Sequence, residues 1–212
     1  MKLILGDCLE EMKKMPDKSV DLVLTDPPYG INIAKTGTVG VKVKAELKEY
    51  QASEWDSKPP SQEYFDEMLR VGKCAVIFGG NYFTDKLPPA KCWVCWDKQI
   101  PKGFGKAQIE LAWTNSTSYS RVYSVLWHGM IRDRSYGNEV RYHPTQKPTK
   151  IIKHILNDFS KEGNIIFDPF MGSGTTGCAC KELGRDFIGI EINEEYYKIA
   201  ENRINQTMGS LF

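Results

Sequence analysis

Apolar residues occur along this chain in two rhythms. Short, nearly unbroken runs ("LIL" at 3–5, "VDLVL" at 20–24, "AVIF" at 75–78, "IIF" at 165–167, "FIGI" at 187–190) alternate with stretches where apolar positions recur every three or four residues. The runs suit parallel strands covered on both faces, and the wider spacing suits amphipathic helices. The pattern predicts strands over 2–6, 19–26, 74–80, 164–170 and 186–192. It predicts a short helix over 7–15 stopped by Pro16, and another led by Ser61 as N-cap, with Tyr64, Phe65, Met68 and Leu69 at helical spacing. Further helices are expected over 147–160, with Ile151, Ile152, Ile155, Leu156 and Phe159 as the apolar face, up to a stop at Gly184, and over 193–206 behind Asn193. From 92 to 129, aromatic segments ("CWVCWDK", "IELAWTN", "VYSVLWHG") read as antiparallel strands and loops at one end of the sheet, while 33–50 has no period and reads as a surface loop. Strands alternating with helices imply an α/β fold: a doubly wound, mostly parallel sheet with an antiparallel strand at one edge.

Composition bounds this picture without changing it. The 212 residues suffice for one α/β domain. A net charge of +1 carries no nucleic-acid signal, so such a partner needs the basic residues gathered on one face. Lys35, Lys42, Lys44 and Lys48 could meet phosphates, against the plainer reading of a solvated loop. The opening "MKLILGDCLEEM" meets acidic residues at once and reads as a strand, not a signal peptide. No run approaches the ~20 apolar residues of a membrane span, and the expected setting is the cytoplasm. Among the six cysteines, Cys92 and Cys95 form a C-x-x-C, but Cys178 and Cys180 make a poor second pair. Free thiols are therefore expected, and no metal.

Chemistry enters with "DPFMGSGTT" at 168–176, a strand end, a carboxylate and a turn of small residues opening a helix. Such a turn lets a ligand approach backbone N–H groups. A phosphate-binding P-loop needs Gly-Lys-[Ser/Thr], and Thr175 stands where the lysine would be. Gly172, Gly174 and Gly177 match a dinucleotide spacing, but that match alone is weak. About twenty residues on lies Glu191, where an acidic side chain in this fold class reaches ribose hydroxyls. Together they predict a nucleoside-cofactor site. "LTDPPYG" at 24–30 ends another apolar strand in Asp26, and ligands of doubly wound sheets gather at the strands' carboxyl ends. Asp26, Asp168 and Glu191 are thus expected along one edge.

"DPPYG", "DPFMGSGTT" and "HPTQKP" (143–148) together resemble the amino-methyltransferases of DNA, which use S-adenosylmethionine to methylate adenine N6 or cytosine N4. The resemblance covers nearly the whole chain. The catalytic motif comes first and the cofactor turn last, which resembles the circularly permuted β class of that family. It implies a Rossmann-like methyltransferase fold in which the chain starts at the usual third strand, and "NIIFDPF" and "FIGIEI" supply the first two. It further implies that Asp7 meets the cofactor's adenine with Cys8 beside it. Phe170, Gly172, Ser173, Gly174, Thr175 and Thr176 would line the methionine part, with Asp168 near the amino group and Glu191 on the ribose. His143, Thr145 and Lys147 of "HPTQKP" would be further cofactor contacts.

The same resemblance implies catalysis by Asp26, Pro27, Pro28 and Tyr29. An exocyclic amine is a poor nucleophile because its lone pair is delocalised into the ring. The Asp26 carboxylate and the Pro27 carbonyl would hold its two N–H bonds, the prolines fixing the backbone, and Tyr29 would stack on a base flipped out of the duplex. An Asp at the first position leans toward adenine. The cytosine-N4 enzyme, an RNA adenine enzyme and a non-catalytic cofactor-binding DNA module are the alternatives. Larger β-class relatives carry a long recognition insert; here the 31–60 loop and the 98–142 segment are the candidate DNA-contacting regions, and recognition could be shared across a homodimer. Ser210, Leu211 and Phe212 resemble the end of a peptide that docks on the sliding clamp.

Overall fold

The computed structural model describes residues 1–31, 58–101, 107–128, 131–132, 142 and 146–209. Its strands are β1 (Lys2–Leu5), β2 (Val20–Thr25), β3 (Gly72–Phe78), β4 (Cys92–Asp97), β5 (Ile109–Thr114), β6 (Arg121–Ser124), β7 (Trp127–His128), β8 (Ile131–Arg132), β9 (Ile165–Asp168) and β10 (Asp186–Glu191). The helices are α1 (Cys8–Lys13), α2 (Gln62–Val71), α3 (Thr149–Phe159), α4 (Thr175–Glu182) and α5 (Glu194–Gln206). Eight strands make one sheet in the order β1-β10-β9-β2-β3-β5-β4-β6, and β7 and β8 form a separate antiparallel pair.

The five strands from β1 to β3 run parallel. β5 is antiparallel to both its neighbours, while β4 and β6 are parallel to each other. The aromatic segments thus extend the sheet beyond β3, and β5 lies between β3 and β4 with β6 outermost. At the opposite end, the chain's first strand pairs with its last, Lys2 facing Ile188 and Leu5 facing Glu191. Read outward from β9, the neighbours β9, β10 and β1 stand in the cofactor-side order that the resemblance implied.

Alternation along the strands divides the core into two layers. Leu22, Leu24, Val76 and Phe78 point to the side covered by α3, α4 and α5, while Val23, Ala75 and Ile77 point to the side of α1 and α2. Val20, Leu22, Val23 and Leu24 are all 1% exposed or less, which is why β2 reads as a nearly unbroken apolar run. Phe65 and Met68 of α2 and Ile151, Ile152, Ile155 and Leu156 of α3 are buried, as their spacing predicts. Asn193 caps α5, its side chain accepting from the amides of Glu195 and Tyr196 at 2.9 and 3.1 Å. Ser61 occupies the N-cap position of α2 but makes no side-chain cap bond. Its own carbonyl accepts the Tyr64 amide at 3.2 Å, which takes up one of the two amides a capping hydroxyl can use.

The chain reverses its winding between β9 and β2, which pair only through Leu22–Ile166 and Val23–Phe167. Ligands of open α/β sheets bind outside the carboxyl ends of the strands at such a switch point. All six cysteines are free thiols. Among the described residues, no helix is long and apolar enough to cross a membrane, and no group of three His, Cys, Asp or Glu side chains is placed to hold a metal.

Candidate active site

A cavity of about 610 Å³ opens at the switch point, a volume within the ordinary range for small-molecule sites. Its floor is the glycine turn after β9. Gly172 has φ +52°, a region L side chains avoid, and nothing stands within 4 Å of where its Cβ would be, so the backbone there faces open space. Gly174 has φ +82° for a different reason: a Cβ there would lie 2.9 Å from Cα of Ala200, so the turn rests directly on α5. Arg203 of α5 fastens the turn by donating to the Ser173 carbonyl and hydroxyl at 2.5 and 2.9 Å.

Besides Asp26, three carboxylates face this space. Asp168 accepts from the hydroxyls of Thr25 and Thr176, both at 2.7 Å, and from the Phe170 amide at 3.1 Å. It therefore ties β2, β9 and α4 together. Burial pushes it up to about 6, with the two threonine hydroxyls pulling the other way. Glu191, at the end of β10, accepts the Gly172 amide at 2.9 Å and the Asn193 amide at 2.9 Å, and burial also raises it. Asp7 caps α1 through the Leu9 amide at 2.7 Å and lines the same cavity beside Cys8, whose thiol burial pushes up to about 12. Phe170, Ser173, Thr175 and Thr176 complete the wall, while Gly174 does not line it.

Asp26 and Pro28 stand at the rim of the same cavity, directly after β2. The Asp26 carboxylate is held on both oxygens: Tyr29 donates its hydroxyl to Oδ1 at 2.6 Å, and Lys147 donates to Oδ2 at 2.5 Å. Lys147 also lies 2.8 Å from Oε1 of Glu110 on β5, and Lys98, just past β4, pairs with Oε2 of Glu110 at 2.7 Å. Burial raises Asp26 above the usual carboxylate range; Lys147 opposes that push and Glu110 adds to it. Burial would raise Glu110 too, yet Lys147 and Lys98 hold it down at about 2. Tyr29 is raised well above its ordinary value by burial and by both carboxylates. One face of the Tyr29 ring stacks on Tyr82, with centroids 4.9 Å apart. Gly79 leaves the ring room, since a Cβ there would sit 2.2 Å from Cε1.

The structure thus brings Asp7, Cys8, Asp26, Pro28, Lys147, Asp168, Phe170, Gly172 and Glu191 around one cavity. Lys147 lines it, but its ammonium is committed to Asp26 and Glu110. Pro148, with extended backbone at the N-cap of α3, keeps Lys147 out of the helix. His143, Thr145, the 33–50 lysines and the terminal Ser210, Leu211 and Phe212 lie outside the described residues. Sequence reasoning missed Thr25, Gln146, Lys98 and Glu110. Thr25 adjoins a quoted motif, but "IELAWTN" carries no sign that its glutamate turns inward. Trp96 is 2% exposed and donates its indole N–H to the Val125 carbonyl, so it belongs to the core.

The model of the N6/N4 DNA methylase family matches residues 96–202, half of the chain. Type II methyltransferase M.HinfI of Haemophilus influenzae is 27% identical over 96% of this chain and 68% of its own length. Type II methyltransferase M2.DpnII of Streptococcus pneumoniae is 26% identical over 96% and 89%. Among solved structures, the M1.HpyAVI–SAM complex is 25% identical with a TM-score of 0.60, covering 96% of this chain and 98% of that one. The PvuII cytosine-N4-specific DNA methyltransferase shares the fold at 16% identity, with a TM-score of 0.61 over 95% and 85%.

Proposed function

The chain belongs to the N6/N4 DNA methylase family, and from that premise we propose that it moves a methyl group from S-adenosylmethionine to N6 of an adenine flipped out of DNA. One observation carries this reading: the Asp26 turn and the glycine turn open into a single cavity across the switch point. The residues suit the cofactor. An open backbone at Gly172, aromatic Phe170 and three carboxylates fit a ligand with a ribose, an ammonium and a purine. Glu191 and Asp7 would hold its hydroxyls and adenine, and Asp168 its amino group. When bound, S-adenosylmethionine supplies an electrophilic methyl group on a sulfonium. M1.HpyAVI, a similar protein, was crystallised with this cofactor.

Within this reading Asp26 has two tasks. As an ionised carboxylate it accepts a hydrogen bond from the adenine amine, alongside the Pro27 carbonyl, and favours tetrahedral geometry at nitrogen. Each Asp26 oxygen already accepts one bond, which leaves a second lone-pair site on each. After transfer the extra proton on nitrogen leaves to Asp26 or to water. Much of the rate comes from holding the reactants in line in a site from which bulk water is excluded. A base stacking on Tyr29 must displace Tyr82 or join its stack, since Tyr82 covers one face of the ring. The 31–60 loop and those parts of 98–142 outside the sheet are the regions we assign to DNA contact.

The test is expression in a bacterial host without DNA methylation of its own, followed by single-molecule sequencing of modified bases. N6-methyladenine in one sequence context, lost in Asp26→Ala, is the expected result. N4-methylcytosine would instead assign the cytosine reaction. An unmodified genome, with S-adenosylmethionine still binding to the purified protein, would favour a non-catalytic DNA module. In purified enzyme, Asp26→Ala is expected to slow transfer by about a hundredfold to a thousandfold while leaving cofactor binding intact.

A further inference from the structure

Glu110 is a buried, ionised side chain that the transfer chemistry above does not use. It comes from β5 and does not line the cavity, and its side chain is 15% exposed. Its Oε1 meets the same two groups that hold Asp26: Lys147 at 2.8 Å and the Tyr29 hydroxyl at 3.0 Å. Resting on the proposed methyl transfer, we propose that Glu110 is a positioning residue for that reaction. By sharing the Lys147 ammonium with Asp26, and leaving the single Tyr29 hydroxyl proton to the nearer Asp26 oxygen, it keeps the Asp26 carboxylate a fixed, ionised acceptor with lone pairs left for the substrate amine.

Charge balance and hydrogen-bond supply give Glu110 this role. Asp26, Glu110, Lys147 and Lys98 form a chain of two carboxylates and two ammonium groups whose charges cancel, as a buried ionic cluster requires. With Asp26 as its only partner, the Lys147 ammonium would commit its donors to that carboxylate and compete with the amine. The second carboxylate draws Lys147 partly away, and the Lys147 charge still holds Asp26 against the effect of burial. Lys98 in turn anchors Glu110 from the far side at Oε2. Lys147 also lies 5.0 Å from the ring centroid of Phe78 and 5.7 Å from that of Tyr29, which confines it between aromatic walls.

The charged and titratable groups around Asp26 are Lys147 ahead of α3, Glu110 on β5, Tyr29 on its own turn and Asp168 at the end of β9. The two nearest charges act in opposite directions, which makes the proposal separable from a merely structural role. Without the Glu110 charge, Lys147 belongs to Asp26 alone; Asp26 becomes more acidic and a weaker acceptor. Without Lys147, two buried carboxylates face each other and Asp26 takes up a proton more readily.

The experiment is single-turnover methylation of unmethylated bacterial genomic DNA from pH 5 to 9, with radiolabelled S-adenosylmethionine varied up to saturation. Saturation moves the titration of Asp168 into the cofactor KM and leaves Asp26 to govern the rate. Glu110→Gln is expected to lower the plateau rate about a hundredfold, leave the cofactor KM unchanged and move the acid limb to lower pH. Lys147→Met is expected to move that limb to higher pH. Glu110→Asp, which keeps the charge but withdraws it, is expected to keep the limb near its parental position with part of the plateau regained; it also serves if Glu110→Gln does not fold. A parental plateau in Glu110→Gln, or a lowered plateau with an unmoved acid limb, would overturn the proposal. If the parent itself transferred no methyl to either adenine or cytosine, the methyl-transfer reading would fall; an Asp26→Asn variant as fast as the parent would leave that reading standing and overturn the proposal, since the carboxylate that Glu110 positions would then have no part in the rate. An inactive Asp26→Asn beside a parental Glu110→Gln would remove only the role of Glu110.

Discussion

On the proposed reading, Asp168 is the residue whose protonation would bear most directly on cofactor binding. Its folded value of about 6 lies above the usual 3.8, so the fold binds its proton more tightly than the unfolded chain does. Its charged form therefore costs stability as pH rises through that window, and a cation bound beside it relieves the cost. S-adenosylmethionine affinity is expected to fall by about tenfold for each pH unit below about 6, one proton being displaced per cofactor. Calorimetry across pH 5 to 8 checks this, and Asp168→Asn should bind more weakly at neutral pH with a flattened profile. Asp26, Asp168 and Glu191 were legible because each ends an apolar run, and a carboxylate at a parallel strand's carboxyl end has few purely structural uses. Glu110 was not legible: a single glutamate near the start of an apolar strand looks solvent-facing until its sheet neighbours are known. Lys147 was legible as a site residue, but its tie to Asp26, 121 positions away, is not a local property.

Elements followed the apolar rhythm closely, because burial on two faces or on one helical stripe leaves a direct imprint on residue spacing. The strand boundaries lie within two residues of those the runs imply. The Asn193 cap forms as expected, and Asn193→Ala should cost about 1 kcal/mol, measurable by denaturant unfolding. The position of β5 was not legible. The apolar, aromatic content of "IELAWT" marks a strand and leaves its partner open, and its pairing with both β3 and β4 depends on contacts distant in sequence. The glycine turn invites a sharper test. Gly174→Ala adds a Cβ against the Ala200 backbone at a left-handed φ and should destabilise the protein by about 1–3 kcal/mol. At this chain length, thermal melting should then fall by roughly 2–4 °C for each kcal/mol.

At the scale of the whole molecule, the order of motifs carried the most information. A catalytic turn early and a glycine turn late are compatible with one cavity only if the last strands lie beside the first, and β10 does pair with β1. Because the cavity is built from both ends of the chain, a ligand there should stabilise the fold as a unit. S-adenosylmethionine at a hundredfold excess over its Kd should contribute about 2.7 kcal/mol and raise the melting temperature by roughly 5–10 °C. The Thr25 hydroxyl spans the seam between β2 and β9, giving its proton to Asp168 while its own backbone leads into Asp26. On the proposed reading, a cofactor that alters Asp168 would thereby act on the segment proposed to receive the base, and equilibrium coupling of this kind is reciprocal. The factor by which S-adenosylmethionine changes DNA affinity must equal the factor by which DNA changes S-adenosylmethionine affinity, and Thr25→Val, by cutting the bridge, should bring both toward one together.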